Sequence, residues 1–371
     1  MKIYFMNKKI AIILNDYTLM GGLERVTSNL ANMFLQNDFP LDCIISLNKK
    51  NKVPSIAYPN ALIIYHVKKI NLANFLKEKN ITHAILQVQD LRVAYHIVRQ
   101  LNKENIKVFP VLHSSPYLYI MRFGKPNNFY EQIKYKKTKY ITKPKNLYYF
   151  KKLIKDSFNF ITLTESVQRE LQELMPKSFA GKIVQLYNPI PFEFSFGNDK
   201  SNIIVFAGRF SPDKRVYQMV KVVASVIKDR LDWQLHLLGE GIEYDIIKKY
   251  INDNNLINIK LFGKVDDVHQ RLKLSKLAIL YSFSESLPTF LVESAYNGNV
   301  LISSNFKGGP QDIISESYNG FIVNNDKELA SALETLINDE DLIEKMGKNN
   351  EIFLEKFNQK QTIQSWLKLL D

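Results

Sequence analysis

The chain has 371 residues, enough at about 100–200 residues per domain for two domains with separate cores. Hydrophobic residues make up 46% and charged residues 23%, which excludes disorder and collagen-like structure; with Cys43 as the only cysteine, a disulfide-stapled framework is excluded too. Net charge is +13 but uneven: 29 Lys and Arg against 13 Asp and Glu through Ser195, and 21 against 24 after it, or +16 and −3. An excess confined to one part points to a localised function for it rather than to general solubility.

The lone thiol suits a reducing compartment. The apolar run Ile10-Ala11-Ile12-Ile13-Leu14 is too short for a signal-peptide core or a membrane span, so a cytoplasmic protein is expected. In chain order, β-branched runs predict strands at Lys9–Leu14, Asp42–Leu47, Leu62–Val67, Ala84–Val88, Lys107–Leu112, Phe158–Leu163 and Ile183–Leu186. A second series follows at Ile203–Ala207, Gln234–Leu238, Lys260–Phe262, Leu277–Ser282, Val300–Ser303 and Phe321–Val323. Amphipathic stretches lie between them, and several runs are apolar at consecutive positions. That pattern predicts an α/β fold of two doubly wound, Rossmann-like sheets, with strands buried on both faces. Helices are expected at Lys327–Ile337, Asp341–Phe357 and Gln359–Leu370. The boundary falls near Asn188-Pro189-Ile190-Pro191, giving domains 1–195 and 196–355 and a final helix, 356–371, packed back toward the first. Ligands of such folds bind at the C-terminal ends of the strands.

Candidate residues cluster at those ends. The first strand leads into Asn15–Gly22, where Gly21 and Gly22 precede a helix opening at Leu23; they let a backbone approach a ligand, and equally suit an ordinary tight turn. His113 ends the strand Lys107–Leu112, where a polar contact to a ligand is favoured over a structural role. Arg209 ends the first strand of the second series and Lys214 lies five residues on, so the two cations flank a sheet edge and can hold a diphosphate. Glu285 and Glu293 lie eight residues apart around a strand-to-helix turn. Pro288 suits a first helical position, which puts Glu293 in the second turn and lets both carboxylates accept hydrogen bonds from sugar hydroxyls in one cleft.

Glu285-x7-Glu293, Gly208-Arg209 with Lys214, Gly239-Glu240-Gly241, Gly308-Gly309-Pro310 and Asn319-Gly320 stand in the order seen in retaining glycosyltransferases of the GT-B fold. With Gly21-Gly22-Leu23-Glu24-Arg25 as a glycine-rich opening, the chain resembles the large family 4 group over nearly its whole length. The resemblance implies two domains facing across a cleft, with a nucleotide-sugar donor bound by the second. It implies that Glu285 contacts the donor sugar, Glu293 the ribose, and Arg209 with Lys214 the diphosphate. Gly21 and Gly22 would approach that diphosphate from the other domain, and His113 would lie near the reacting carbon. Gly263-Lys264-Val265 would meet the base through its backbone, and Leu287 and Thr289 would lend backbone contacts near phosphate and sugar. Ser286 departs from the family, which commonly has glycine there.

A metal-dependent transferase would carry Asp-x-Asp at a strand end. The only such triplet here, Asp339-Glu340-Asp341, lies between two predicted helices, where capping explains it, so no metal and no cofactor beyond the nucleotide sugar is expected. Lys134–Lys155 holds nine lysines, four tyrosines, one phenylalanine and no acidic residue. Lysine interleaved with aromatics suits an anionic membrane or a nucleic-acid backbone, or a solvated face with aromatics turned inward; no nucleic-acid motif accompanies it, and for a transferase the membrane is the expected partner.

The sequence thus predicts a retaining transferase moving a hexose or N-acetylhexosamine from a UDP-sugar to a lipid-linked surface glycan at the inner face of the cell membrane. A soluble or protein acceptor is the near alternative. A dinucleotide oxidoreductase is disfavoured because no Gly-x-Gly-x-x-Gly follows the first strand. A nonenzymatic nucleic-acid-binding protein would leave the paired glutamates idle.

Overall fold

The computed structural model describes residues 8–19, 22–48, 56–121, 129–188, 190, 194–197 and 199–370. The chain divides into two compact units, Met1–Pro191 with Phe357–Asp371 and Phe192–Lys356. Gly21, and Pro189 and Pro191 of the expected boundary, lie outside the described residues.

Unit 1 opens with β1 (Ile10–Asp16), α1 (Gly22–Gln36), β2 (Leu41–Asn48), β3 (Ile63–His66), α2 (Leu72–Glu78), β4 (His83–Val88) and α3 (Leu91–Asn102). It continues through β5 (Lys107–Leu112), α4 (Pro116–Ile120), α5 (Phe129–Lys137), α6 (Lys143–Asp156), β6 (Phe160–Thr162), α7 (Glu165–Leu174) and β7 (Ile183–Gln185). The strands form one sheet ordered β3-β2-β1-β4-β5-β6-β7, all neighbours parallel. β1 and β4 are buried almost end to end, as consecutive apolar residues in a sheet covered on both faces require. Ile13, Cys43, Ile45, Leu86 and Val108 from the sheet meet Leu101 and Phe150 from the helices in one core. There burial pushes the Cys43 thiol up to about 12, an inert state.

Between α5 and α6 the helix does not break but widens into a π turn, Thr138–Thr142. Lys134, Thr138, Thr142 and Asn146 are half-buried and Phe150 is buried, at strict four-residue intervals. A straight α-helix drifts about 40° over each such step, so the extra residue of the π turn keeps this stripe facing the unit. The other side carries the exposed Tyr135, Lys136, Lys137, Lys139, Tyr140, Ile141 and Lys143.

Unit 2 runs β8 (Ser201–Ala207), α8 (Val216–Ile227), β9 (Gln234–Leu238), α9 (Tyr244–Asp253), β10 (Ile259–Gly263) and α10 (Val268–Leu274). Next come β11 (Ser275–Leu280), α11 (Thr289–Tyr296), β12 (Val300–Ser304), β13 (Gly320–Val323), α12 (Asp326–Ile337) and α13 (Glu340–Leu354). Its sheet is also parallel, ordered β10-β9-β8-β11-β12-β13. Asn325 caps α12 through the Glu328 amide, and Asp339 caps α13 through the Leu342 amide at 2.9 Å. The Asp-x-Asp triplet is therefore a helix start.

Several expected elements are shorter or displaced, two of them for a visible reason. β6 begins at Phe160, because Phe158 turns out to solvent. Pro288 caps α11 rather than opening it, with φ −71° and ψ 94°, so the chain enters extended and Thr289 is the first helical residue. The last helix, α14 (Gln359–Leu370), belongs to unit 1, where the Trp366 ring meets Phe34 edge-on at 5.6 Å. Trp366 is 3% exposed and Phe34 fully buried, so Trp366→Ala is expected to cost about 3–5 kcal/mol, read as a lower urea midpoint of unit 1. An unchanged midpoint would show the helix undocked.

Candidate functional site

In unit 2 the strand order reverses between β8 and β11, which are hydrogen-bonded neighbours although β9 and β10 intervene in sequence. Such a reversal leaves a gap at the carboxyl edge, because the connections from the two strands depart in opposite directions. Lys214 comes to this gap from the turn after β8 and Glu285 from the loop after β11, and the Lys214 ammonium donates to Glu285 Oε1. Their side chains are only 20% and 14% exposed, so the pair is largely withdrawn from water. Ser282 also donates to Glu285 Oε1 at 2.7 Å, and the Glu285 amide donates to the Lys307 carbonyl at 3.2 Å in the loop after β12.

The turn carrying Lys214 is held from several sides. The Phe283 amide donates to the Asp213 carbonyl at 2.8 Å. Arg215, at φ +53° and ψ +35°, takes a left-handed conformation that costs an L-residue about 1–2 kcal/mol. Ahead of the turn, Phe210 donates its amide to the Glu240 carbonyl at 2.8 Å. Gly239 and Gly241 allow this approach: a Cβ at Gly239 would stand 1.9 Å from the Gly208 carbonyl oxygen, and one at Gly241 2.2 Å from that of Phe210, both at positive φ. The Gly239-Glu240-Gly241 motif thus shapes the loop that presents Arg209 and Lys214.

The remaining expected residues of unit 2 spread along the same edge. Arg209 is exposed beside Gly208. Val265 is half-buried after β10, Leu287 is buried and Thr289 half-buried at the start of α11, and Glu293 is half-buried at its fifth position. Glu285 and Lys214 are brought into contact; sequence reasoning had given them separate ligand partners. Two buried hydroxyls at this edge, Ser211 Oγ and Ser286 Oγ, have no hydrogen-bond partner in the protein. Asn319 is fully buried, donating to Asn350 Oδ1 and the Ile313 carbonyl at 3.0 Å, and so braces the turn into β13.

Unit 1 has its reversal between β1 and β4. Asp16, at the end of β1, accepts from the Thr18 amide at 2.9 Å and hydroxyl at 2.6 Å. Burial, and after it the Asp16 charge, holds the Glu24 carboxyl above the usual range. The α1 helix opens at Gly22, not Leu23, and a Cβ on Gly22 would meet nothing within 4 Å. His113 follows β5 and pairs through Nε2 with Gln87 Oε1 from β4; with that oxygen accepting, Nε2 carries the ring proton and Nδ1 remains an acceptor. Burial pushes His113 down to about 4, so the ring is neutral at pH 7. Gln87, Ser282 and Arg215 escaped the sequence reading. The signal for Gln87 was a lone amide in an apolar strand; for Arg215 it was adjacency to Lys214. A groove of about 490 Å3 along α3, lined by His96, Arg99 and Lys103 among others, contains none of these residues. Among the described residues no three His, Cys, Asp or Glu side chains converge as a metal site.

Residues 191–353 match the family model for glycosyl transferases group 1. The chain is 30% identical over 204 residues, 52% of its length, to the Campylobacter jejuni alpha-1,4-N-acetyl-D-galactosaminyltransferase, whose name gives its acceptor as GalNAc-alpha-(1->4)-GalNAc-alpha-(1->3)-diNAcBac-PP-undecaprenol. It is 28% identical over 173 residues, 46% of its length, to the poly(ribitol-phosphate) alpha-N-acetylglucosaminyltransferase of Staphylococcus aureus. These matches span 55% and 35% of the relatives, so the chain covers about half or less of their length. In fold it is similar to a TarM variant of S. aureus solved with fondaparinux, alpha-GlcNAc-glycerol and UDP, at TM-score 0.80 and 15% identity over 98% of this chain and 100% of the other. The fold is GT-B.

Three histidines held below their ordinary range contribute to the stability in acid. An unfolded His113 takes up its proton near the ordinary 6.5, and the folded one only near 4; His83 and His236, likewise lowered to about 4 first by burial, act in the same sense. Between those values the unfolded chain binds more protons, so their contribution is complete above about pH 6.5 and is lost as pH falls through about 4. Melting temperature is expected to drop over that window, and to drop less steeply in His113→Asn. An identical slope in the variant would mean the ring is not buried in its neutral form.

Proposed function

We propose, on the match of residues 191–353 to the family model for glycosyl transferases group 1, that the chain is a retaining glycosyltransferase moving a hexose or N-acetylhexosamine from a UDP-sugar to a lipid-linked surface glycan. The carrying observation is the Lys214–Glu285 pair at the β8–β11 reversal, a cation and a carboxylate side by side where such sheets bind nucleotides. Lys214, with Arg209, suits the donor diphosphate, and Glu285 the hydroxyls of its sugar. Glu293 suits the ribose, and the backbone around Val265, Leu287 and Thr289 the base, phosphate and sugar. His113 offers a hydrogen-bonding ring without charge. Gly22, open at the start of α1, supports an approach of backbone to phosphate.

In the proposed reaction the bond from the anomeric carbon to the diphosphate oxygen breaks as the acceptor oxygen bonds to the same face of that carbon. The acceptor proton passes to the departing phosphate. Negative charge gathers on the diphosphate, so Lys214 and Arg209 act most strongly at the transition state, in the place a metal would otherwise fill. Lys214→Ala and Arg209→Ala are each expected to lower kcat at least a hundredfold, the scale of losing one stabilising group. Glu293→Gln should weaken UDP binding by about 1–3 kcal/mol, the scale of a bond to a charged group, and EDTA should leave the wild-type rate unchanged. UDP release from a panel of UDP-sugars with a lipid extract reads all of these. Wild-type rates in the two cation variants, or strict need for a divalent ion, would overturn the assignment.

The acceptor side of the reading rests on Lys134–Lys155. Phe150, Leu153 and Ile154 root α6 in the core, while Tyr140 is 67% and Ile141 60% exposed among the lysines of the π turn and its flanks. No helix among the described residues is long and apolar enough to cross a membrane, and a basic face with exposed rings instead suits the surface of an anionic one. Each engaged lysine contributes about 1 kcal/mol there, screened by salt. Changing Lys136, Lys137, Lys139 and Lys143 together to Ser is expected to abolish salt-sensitive sedimentation with anionic vesicles and leave UDP binding intact. Vesicle binding indifferent to these lysines would return the segment to a solvated surface.

A further inference from the structure

Lys214 and Arg215 are consecutive, yet they grip the same loop at different points. Lys214 reaches Glu285. Arg215 lays its guanidinium 3.9 Å from the centre of the Tyr281 ring and 4.8 Å from that of Phe283, and approaches Asp326 at 3.8 Å. The far end of this clamp is itself fastened. Tyr281 donates its hydroxyl to Asp326 Oδ1 at 2.6 Å, Gln218 Nε2 donates to both Asp326 oxygens at 2.9 Å, and Arg215 Nε donates to Gln218 Oε1 at 3.1 Å. With the Phe283 amide on the Asp213 carbonyl, three successive residues, 213 to 215, are tied to the segment Tyr281–Glu285. A left-handed arginine is retained only where its surroundings hold it, and here they do so beside the one lysine assigned to the diphosphate.

We infer that Arg215 is a positioning residue for the donor diphosphate: clamped by Tyr281, Phe283 and Asp326, it fixes the left-handed turn that holds the Lys214 ammonium at the β8–β11 gap. This rests on the donor-site reading above. A planar guanidinium suits a place over two rings and beside a carboxylate, and a lysine ammonium does not replace it.

The test compares UDP with uridine, which lacks the phosphates, by calorimetric and NMR titration. Arg215→Gly removes the clamp while leaving the left-handed turn free of strain, so the variant should fold. It is expected to weaken UDP binding about tenfold, the effect of misplacing one charge-assisted hydrogen bond, and to leave uridine unchanged. Arg215→Lys should not restore the affinity. Asp326→Asn, which leaves residues 213 to 215 in place and loosens the far end, should weaken UDP in the same direction. In a Lys214→Ala background, Arg215→Gly should add nothing. Wild-type UDP affinity in Arg215→Gly, equal losses for UDP and uridine, full rescue by lysine, or a loss additive with Lys214→Ala would each overturn the inference while the donor site stands. A wild-type protein that binds no UDP would instead overturn the donor-site reading, and the inference with it.

Discussion

Lys214 and Glu285 meet where neither could stand alone. Each is more than three-quarters withdrawn from water, and an isolated ion so placed costs several kcal/mol even after the protein relaxes. Pairing offsets that cost only if the two loops arrive in register, which is a demand on backbone rather than on charge. The parallel order of the sheet brings β8 and β11 side by side, Gly239 and Gly241 let the loop after β8 lie against the one after β9, and Ser282 and Lys307 fix the loop after β11. The ion pair is the product of those constraints and, once formed, holds the loops that formed it.

On the proposed reading, the same pair explains how one edge can take both a diphosphate and a sugar. Closed on itself, it presents little net charge. A doubly charged diphosphate is a stronger partner for the ammonium than a single carboxylate, and as Lys214 turns to it the Glu285 oxygens become acceptors for hydroxyl groups. Binding of the anionic part of the donor thereby prepares recognition of its neutral part. His113 follows a related logic in unit 1, where burial keeps the ring neutral and Gln87 pairs with its Nε2.

The fold was legible because it is written in consecutive apolar runs. All thirteen described strands overlap the β-branched clusters that predicted them, and the central ones, such as β1 and β4, are buried on both faces and leave little room for polar interruption. Element ends were less legible: proline has a φ that serves a cap as well as a first turn, so Pro288 could not announce which it was. Of the candidate site, the residue types and the edge they occupy were readable, and the contacts were not. Glu285 lies 71 positions from Lys214, and only the strand order joins them. Arg215 was hidden for a different reason: its left-handed backbone has no signature in an arginine, whereas a glycine there would have marked the turn at once. The uneven charge located the basic segment, but its π turn has no compositional mark.

That π turn makes the basic segment modular. It carries one residue more than an α-helical ladder across the same span would need, so losing a residue between Thr138 and Thr142 would restore an ordinary helix instead of breaking one. Phase would survive as well: the wide turn absorbs the extra residue, so losing both leaves everything before the deletion on nearly the same sides relative to Phe150, Leu153 and Ile154. Tyr135 and its neighbouring lysines would stay on the outward side. The outward side can therefore lose or gain a residue at the turn, while the half-buried stripe and the root in the core keep their places. A lineage could in this way change the surface that unit 1 presents without rebuilding the sheet behind it.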